Sequence, residues 1–159
     1  MLKYVWLSAL VISLDQASKW IVSSLFSLHE TLVVMPYFNL TLAHNYGAAF
    51  SFLAGAGGWQ RWFFIGLSLV ISVALVVWLK KLSSHAKLEA VSISLILGGA
   101  IGNVIDRIYF GYVIDFLDVY YGTYHWPVFN IADSAICIGA GLLILDSFIS
   151  KAEPDQKIT

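Results

Sequence analysis

Four long apolar stretches constrain this chain more than any other feature of its sequence. They cover residues 4–26, 62–79, 88–108 and 128–148. A helix needs about 20 apolar residues to cross a bilayer, and each stretch is close to that length. Only 12% of the residues are charged, whereas soluble domains carry about 25%. The sequence therefore predicts an all-α integral membrane protein, a single domain over residues 1–159 with four transmembrane helices.

The first stretch differs from a cleavable signal peptide. Asp15 and Lys19 interrupt its apolar run, and no cleavage site of the A-x-A type follows it. We therefore expect this stretch to remain in the protein as a membrane anchor.

Basic residues predict the orientation of the chain in the membrane. Most lysines flank one set of helix ends, at the N-terminus, in the loop 80–87 and in the tail, whereas Arg61 is the basic residue of the other loops. The positive-inside rule then places both termini in the cytoplasm. The long loops 27–61 and 109–127 consequently face outward, and they hold much of the Tyr and Trp expected of an interfacial aromatic belt.

The first outward loop carries the pattern of a strand. Residues 38–42 alternate apolar and polar side chains, which is the period of a half-exposed strand. The small residues within 45–50 then predict a turn where the backbone can approach a ligand closely. We expect a small extracytoplasmic β-sheet, a cradle that lies against the membrane.

Small side chains in the last two stretches carry packing information. Gly98, Gly99 and Gly102 predict close contact between the third helix and its neighbours.

Cys137 is the single cysteine, so no internal disulfide forms, and we expect it to be a small buried hydrophobe.

Polar residues collect at the outward ends of three helices and in the adjoining loops, and the second helix contributes none. They are Asp15 and Lys19 in the first helix, Asn103, Asp106 and Arg107 in the third, Asn130 and Asp133 in the fourth, and Asn45 and Asp115 in the loops. Spacings of three or four residues place members of one helix on one face. This convergence predicts a functional site at the outer membrane boundary.

Asp115 and Asp133 suggest the chemistry of that site. Ionisable groups at membrane depth are costly and are functional by default. Two neighbouring carboxylates in a poorly hydrated place hold one proton between them, so one activates water while the other donates a proton. This is the requirement of an aspartyl hydrolase that needs no metal. Which aspartate is the base and which is the acid stays open at this point.

The other polar residues suit supporting roles. Arg107 and Lys19 can hold a substrate backbone, a neighbouring carboxylate or a lipid phosphate. The amides of Asn45, Asn103 and Asn130 suit the positioning of an extended peptide or the orientation of the two carboxylates.

Purely structural roles compete with these assignments. Asp15 and Lys19 are alternatively an intrahelical pair that neutralises itself, and Asn103 forms a hydrogen bond between helices. Arg107 and Asp106 are alternatively snorkelling side chains at a helix end. Asp118 and Asp146 are expected to be solvated or interfacial.

Other functional classes also stay open. A proton-coupled transporter or small channel uses intramembrane charges too, although transporters place them near the midplane and show internal repeats. A non-enzymatic membrane scaffold needs no pair of carboxylates. HExxH and GxSxG motifs are absent from the sequence, which disfavours zinc and serine hydrolases. The net charge of −1 argues against a nucleic-acid partner.

Five runs of the sequence resemble the motif blocks of bacterial lipoprotein signal peptidase, also called signal peptidase II. They are DQASK at 15–19, NYGAAFS at 45–51, GGAIGNVIDR at 98–107, GYVIDF at 111–116 and FNIAD at 129–133. The runs occur in the family's order and spacing, and together they span nearly the whole chain.

The resemblance implies a multi-pass protein of the bacterial inner membrane, with a periplasmic β-cradle and its active site at the periplasmic leaflet. It implies an aspartic endopeptidase without cofactor or metal that cuts prolipoproteins before the diacylglyceryl-modified cysteine. Asp115 and Asp133 match the family's catalytic dyad. The supporting residues that match are Asp15, Lys19, Asn45, Gly47, Asn103, Arg107 and Asn130. Its implied partners are those prolipoproteins and membrane lipids, and a single site on four helices is expected to work as a monomer.

Overall fold

The computed structural model describes residues 1–47, 53 and 55–152. Long α-helices make up most of this part of the chain, after a short 3-10 turn at Leu2–Tyr4. They are α1 (Val5–Leu25), α2 (Trp59–Lys81), α3 (Lys87–Tyr109) and α4 (Ile131–Ala152). Each helix overlaps most of one of the four predicted apolar stretches.

Three of the helices in the described residues are long and apolar enough to cross a membrane. These are α2, α3 and the part of α4 that ends at Ile149. The helix α1 has 21 residues, and Asp15, Gln16 and Lys19 interrupt its apolar run. Large apolar side chains such as Val70 and Phe148 are exposed on these helices, as expected of surfaces that face lipid rather than water.

The helix α3 lies at the centre of the bundle and packs against α1, α2 and α4. Its glycines make this possible. A Cβ on Gly98 would lie 2.8 Å from Cβ of Val11 in α1, and a Cβ on Gly99 would overlap the backbone oxygen of Ala132 in α4. This is the close small-residue packing that the sequence predicts for the third helix.

One end of the bundle carries a small antiparallel sheet. Its strands are β1 (Thr31–Met35), β2 (Phe38–Asn45), β3 (Val113–Tyr121) and β4 (Tyr124–His125), in the spatial order β1-β2-β3-β4. The strand predicted over 38–42 is confirmed as part of β2. Only residues 45–47 of the predicted turn over 45–50 can be compared, because residues 48–50 lie outside the described part of the chain.

The strand β3 was not predicted from the sequence, and its burial explains why. Val113, Ile114, Asp115 and Phe116 are all buried, so the first half of the strand is covered on both faces. A strand in this position shows no alternation of apolar and polar residues. Gly111, at a φ of +87°, lies in the turn between α3 and β3.

The sheet is attached to the bundle through an apolar contact. Leu42 of β2 and both Ile114 and Phe116 of β3 form a buried cluster with Val22, which lies one turn before the end of α1. Burial of such side chains stabilises by about 1.5–3 kcal/mol each. This contact holds β3, and with it Asp115, at the ends of the helices.

Two predictions about single residues are wrong. Cys137 is exposed rather than buried, because it lies on the side of α4 that lines a cavity. Asp118 is 3% exposed rather than solvated. Its carboxylate accepts hydrogen bonds from Asn39 at 3.1 Å and Thr41 at 3.2 Å, and it pairs with His125 at 2.8 Å.

Candidate active site

A cavity of about 780 Å³ opens where the sheet meets the helices. Its walls come from α2, α3, α4, β2, β3 and the segment 126–129. Five of the nine predicted site residues line it, which are Asn45, Asn103, Arg107, Asp115 and Asp133. The structure therefore brings residues from three helices and two strands to one place.

Asp115 reaches this cavity from β3, where Ala43 of β2 is its cross-strand partner. Its side chain is 2% exposed. Oδ1 accepts a hydrogen bond from Nδ2 of Asn130 at 2.7 Å, and the side chain of Asn45 adds another. Burial, reinforced by the charge of Asp133, raises the pKa of Asp115 to about 7. Near neutral pH this carboxyl group therefore holds a proton part of the time.

Asp133 lies in the first turn of α4. Its Oδ1 accepts a hydrogen bond from Nδ2 of Asn103 at 2.7 Å, and its Oδ2 accepts a longer one from the backbone N–H of Asn130 at 3.3 Å. The N-terminal end of a helix favours negative charge. These contacts favour the carboxylate form of Asp133, whereas burial of the side chain opposes it.

Asn130 connects the two aspartates. It is fully buried, and its Oδ1 accepts a hydrogen bond from the backbone N–H of Asp133 at 2.9 Å. Together with the bond from the Asn130 N–H to the Asp133 carboxylate, this forms a reciprocal capping box at the start of α4. Because Nδ2 of the same amide also binds Asp115, one side chain sets the relative position of both carboxylates.

A buried ion network lies behind Asn103. Nζ of Lys19 is 2.8 Å from Oδ2 of Asp15, 2.9 Å from Oδ2 of Asp106 and 3.1 Å from Oδ1 of Asn103. Lys19 is 1% exposed and both carboxylates are fully buried. Asp15 also accepts a hydrogen bond from the backbone N–H of Ala132 at 2.9 Å. The network thus joins α1, α3 and α4, which is more than the intrahelical pair considered as an alternative.

Asp106 and Gln16 also belong to this network. The sequence placed Asp106 among the polar residues at the helix ends but predicted no functional role for either residue. Oδ2 of Asp106 accepts a hydrogen bond from the backbone N–H of Ile114 at 3.0 Å, one residue before Asp115. Nε2 of Gln16 donates to Oδ1 of Asp106 at 2.9 Å. The sequence could have indicated a role for Asp106, because it follows Asn103 by three residues and therefore lies on the same face of α3.

Arg107 holds the end of β2 against α3. Its Nη2 donates to the backbone oxygen of Gly47 at 2.8 Å, and its guanidinium lies 5.3 Å from the ring centre of Phe64. Oδ1 of Asn45 accepts a hydrogen bond from the Gly47 N–H at 3.0 Å, the pattern of an Asx turn. Arg107 is 8% exposed, so it contacts the cavity with only a small part of its surface.

Comparison with known proteins identifies relatives along almost the whole chain. The family model of signal peptidase (SPase) II matches residues 7–149. The chain is 57% identical over 147 residues to the lipoprotein signal peptidase of Alteromonas mediterranea. The matched region covers 92% of this chain and 81% of that protein. The chain is 53% identical over 156 residues to the lipoprotein signal peptidase of Photorhabdus laumondii. The matched region covers 98% of this chain and 92% of that protein.

Two solved structures described as bacterial membrane enzymes share the fold. The first superposes with a TM-score of 0.89 at 32% identity and covers 100% of this chain and 95% of that one. The second has a TM-score of 0.80 at 34% identity and covers 92% of both chains. The resemblance seen in the five sequence runs is thereby confirmed, and the chain belongs to the signal peptidase II, or lipoprotein signal peptidase, family.

Proposed function

We propose that this protein is an intramembrane aspartic endopeptidase that removes signal peptides from prolipoproteins by cutting before the diacylglyceryl-modified cysteine. Membership of the signal peptidase II family supports a membrane protease that removes signal peptides from lipoproteins. One observation carries the aspartic mechanism: Asp115 and Asp133 line one cavity and are bridged by the amide of Asn130.

The surroundings of the two aspartates support a division of roles. We assign the protonated role to Asp115, because burial and the neighbouring charge raise its pKa to about 7. We assign the ionised role to Asp133, because Asn103 and the start of α4 stabilise its negative charge. This pairing of one acid with one base is what acid–base hydrolysis of a peptide bond requires.

The reaction then proceeds in two proton-balanced steps. Asp133 takes a proton from a water molecule as the water oxygen bonds to the scissile carbonyl carbon, while Asp115 gives its proton to the carbonyl oxygen. In the second step Asp133 gives its proton to the nitrogen, the C–N bond breaks, and Asp115 recovers a proton from one of the two hydroxyls. The dyad ends with the single proton on Asp115 with which it began.

The remaining polar residues support this dyad. Asn103 orients Asp133, and Lys19 holds Asn103 from behind while Asp15 fixes the start of α4. Asn45 and Arg107 line the cavity beside the dyad, so we assign them to the positioning of the substrate backbone.

The other part of the cavity suits an apolar substrate. It extends between α2 and α4 over α3, where Phe64, Ile71, Ile96 and Ile136 contribute to its wall. A signal peptide and a diacylglyceryl group would remain among such side chains and lipid while the scissile bond reaches the dyad. This arrangement supports a membrane-bound substrate.

The topology that we propose has four membrane-spanning helices, with both termini in the cytoplasm and the site at the periplasmic leaflet of the inner membrane. Lys80 and Lys81 end α2 and Lys87 begins α3, at the bundle end opposite the sheet, as the positive-inside rule requires for a cytoplasmic loop. The pairing of Asp15 with Lys19 reduces the cost of placing α1 in the bilayer. Because one chain supplies the whole site, we propose that the enzyme is a monomer.

The test is cleavage of a diacylglyceryl-modified prolipoprotein in detergent. Asp115→Asn and Asp133→Asn are each expected to lower kcat by about 10³-fold or more, because each removes a titrating group but keeps size and hydrogen bonding. Asp146→Asn, a second aspartate of α4 toward its other end, serves as the matched control and is expected to keep normal turnover.

Near-normal turnover of either folded dyad variant would overturn the aspartic mechanism. If the folded unchanged protein leaves the lipid-modified substrate intact, the transporter and scaffold interpretations return. A substrate with an unmodified cysteine measures the dependence on the diacylglyceryl group and is expected to be cleaved much more slowly.

A further inference from the structure

The two aspartates of the proposed dyad lie at the two ends of one hairpin. Asp115 lies on β3, the chain turns after Tyr121, and it returns through β4 and the segment 126–129 to Asp133 in the first turn of α4. Every residue of the segment 126–129, which we call the return arm, lines the cavity. Because the return arm forms a wall of the cavity, its position decides the shape of the space that a substrate enters.

The outer half of the return arm has few backbone contacts. At the base of the arm, Phe129 exchanges backbone hydrogen bonds with Leu117 of β3, at 2.8 and 3.1 Å. Toward the tip, the N–H of Trp126 donates to the backbone oxygen of Val119 at 2.8 Å, and Pro127 has no N–H to donate. The preceding strand β4 is only two residues long and is the last strand of the sheet. Such a short strand pair is weak by itself, so a side-chain contact can decide where the arm lies.

His125 supplies a side-chain contact at the outer end of the return arm. Its Nδ1 is 2.8 Å from Oδ1 of Asp118 on β3. Its ring stacks on that of Tyr120, with 5.2 Å between the ring centres. The His125 side chain is 52% exposed, whereas that of Asp118 is 5% exposed. The pair therefore joins the exposed edge of the sheet to a buried carboxylate.

The carboxylate of Asp118 is in turn bound to β2. Its Oδ2 accepts hydrogen bonds from Nδ2 of Asn39 at 3.1 Å and from Oγ1 of Thr41 at 3.2 Å. The hydroxyls of Thr41 and of Thr31 on β1 are 2.9 Å apart. Hydrogen bonds between side chains thus cross all four strands, from Thr31 to His125. Through one buried carboxylate, the return arm is tied to the whole sheet.

The charge of Asp118 determines which nitrogen of His125 carries a hydrogen. Burial opposes the ionisation of Asp118, but hydrogen bonds from His125 and Asn39 outweigh it, so the pKa of this carboxyl group lies below its usual value. An ionised carboxylate only accepts hydrogen bonds, so Nδ1 of His125 is the donor. Because neutral and protonated imidazole can both donate from Nδ1, the contact does not depend on the charge of His125.

We propose that His125 is a positioning residue, which holds the return arm in place as a substrate-binding wall of the cavity. It acts through Asp118, which follows Asp115 by three residues on β3. An odd spacing places these two carboxylates on opposite faces of the strand. His125 therefore affects how the substrate is bound rather than how the dyad reacts. The inference rests on the proposed function, because it takes the cavity to be the substrate site.

The base of the hairpin is held independently of His125. Asn130 donates a hydrogen bond to Asp115 and caps the start of α4 through the N–H of Asp133. The pairing of Phe129 with Leu117 lies at the same level. Loss of the His125 contact is therefore expected to loosen the outer half of the hairpin and to leave the dyad in place.

Variants of His125 that differ in one hydrogen-bond donor test the proposal. In His125→Asn the amide nitrogen can take the position of Nδ1 and donate to Asp118, whereas His125→Leu has a similar shape and no donor. His125→Leu is expected to raise KM for the lipid-modified prolipoprotein by about tenfold with little change in kcat. His125→Asn is expected to keep KM close to that of the unchanged protein. The control is His85→Leu, in the loop at the opposite end of the bundle, which is expected to change neither constant.

A second measurement follows the return arm itself and needs no activity. Val128→Cys is combined with Cys137→Ser, spin-labelled and examined by electron paramagnetic resonance in detergent. The label is expected to become more mobile when His125→Leu is added, and to keep its mobility when His125→Asn is added. Circular dichroism checks that each variant is folded. Thr41→Val, which removes a donor to Asp118 but leaves β4 unchanged, is a second variant and is expected to act in the same direction.

Unchanged KM or unchanged label mobility in folded His125→Leu would overturn the proposal. A fall in kcat at unchanged KM would overturn it as well, because His125 would then act on the dyad. Equal effects of His125→Leu and His125→Asn would overturn the route through Asp118. If the unchanged protein does not cleave the substrate, the proposed function fails, whereas the label mobility still decides whether His125 holds the return arm.

Discussion

Asn103 donates its side-chain amide to Oδ1 of Asp133 over 2.7 Å. The oxygen of the same amide accepts a hydrogen bond from Nζ of Lys19 at 3.1 Å. Asn103 therefore links a buried cation to one carboxylate of the proposed dyad without placing the cation in the cavity. Lys19 also pairs with Asp15 and Asp106. It acts on Asp133 both through its charge and by holding the amide of Asn103 in place.

Replacement of this amide tests whether it orients the base. Asn103→Ala is expected to lower kcat by about 10²-fold with little change in KM, because the carboxylate of Asp133 loses its short hydrogen bond and its position. Steady-state kinetics on the lipid-modified substrate provides both constants. An increase in KM at unchanged kcat would instead mean that Asn103 binds substrate.

The buried ion network predicts a large effect on stability. Lys19→Met leaves the carboxylates of Asp15 and Asp106 buried without their cation, and removal of one partner of a buried ion pair typically costs about 3–5 kcal/mol. The free energy of unfolding of Lys19→Met in detergent is therefore expected to be lower by about 3–5 kcal/mol than that of the unchanged protein. Addition of Asp15→Asn to the variant removes one of the two unpaired charges and should restore part of the loss. If Lys19→Met unfolds like the unchanged protein, the network contributes little to stability.

The raised pKa of Asp115 predicts how activity depends on pH. The proposed acid must be protonated, and its pKa is about 7. The rate of the chemical step is therefore expected to decline as the pH rises through about 7, on the alkaline side of the profile. A profile that stays flat from pH 6 to about 9 would contradict the assignment of Asp115 as the acid.

The same shift predicts how stability depends on pH. A carboxyl group whose pKa is raised by folding binds its proton more tightly in the folded state, so ionisation opposes folding. The folded state is expected to lose stability as the pH rises from about 4, near the unfolded value, to about 7, by a few kcal/mol. Asp115→Asn removes this titration, so it should be more stable than the unchanged protein above pH 7. Thermal unfolding of the unchanged protein and of Asp115→Asn at pH 5 and pH 8 measures this effect. The same change in stability with pH in both proteins would refute the prediction.

The contact between α3 and α4 predicts a steric effect at Gly99. Gly99→Ala brings a methyl group into the backbone oxygen of Ala132, so the start of α4, with Asp133, must move. We expect a loss of stability of about 1–3 kcal/mol and a drop in kcat, measured by unfolding in detergent and by the cleavage assay. Gly66→Ala in α2 is the control, because a Cβ there meets nothing within 4 Å. Equal stability of the two variants would show that α4 adjusts without cost.

The sequence by itself determined the helices, the family and most of the residues that form the candidate site. Long apolar runs specify membrane-length helices because the bilayer requires a fixed length of apolar chain whatever the packing. The glycines of α3 predicted its close contacts for a similar reason, since backbone approach depends mainly on the absence of a side chain. The catalytic roles of Asp115 and Asp133 stay a proposal that the cleavage assay tests.

Only the tertiary structure decided what lies around those residues. The first half of β3 is covered on both faces, so its strand period is hidden in the sequence. Asp118 is buried where side chains of β2 and β4 bind its carboxylate. Asp106 gains its part in the site through the backbone N–H of Ile114, a partner that sequence spacing does not reveal. The raised pKa of Asp115 likewise depends on burial and on Asp133, which follows it by 18 positions in the chain. Local patterns specify helices, whereas burial and hydrogen-bond partners arise only when distant segments come together.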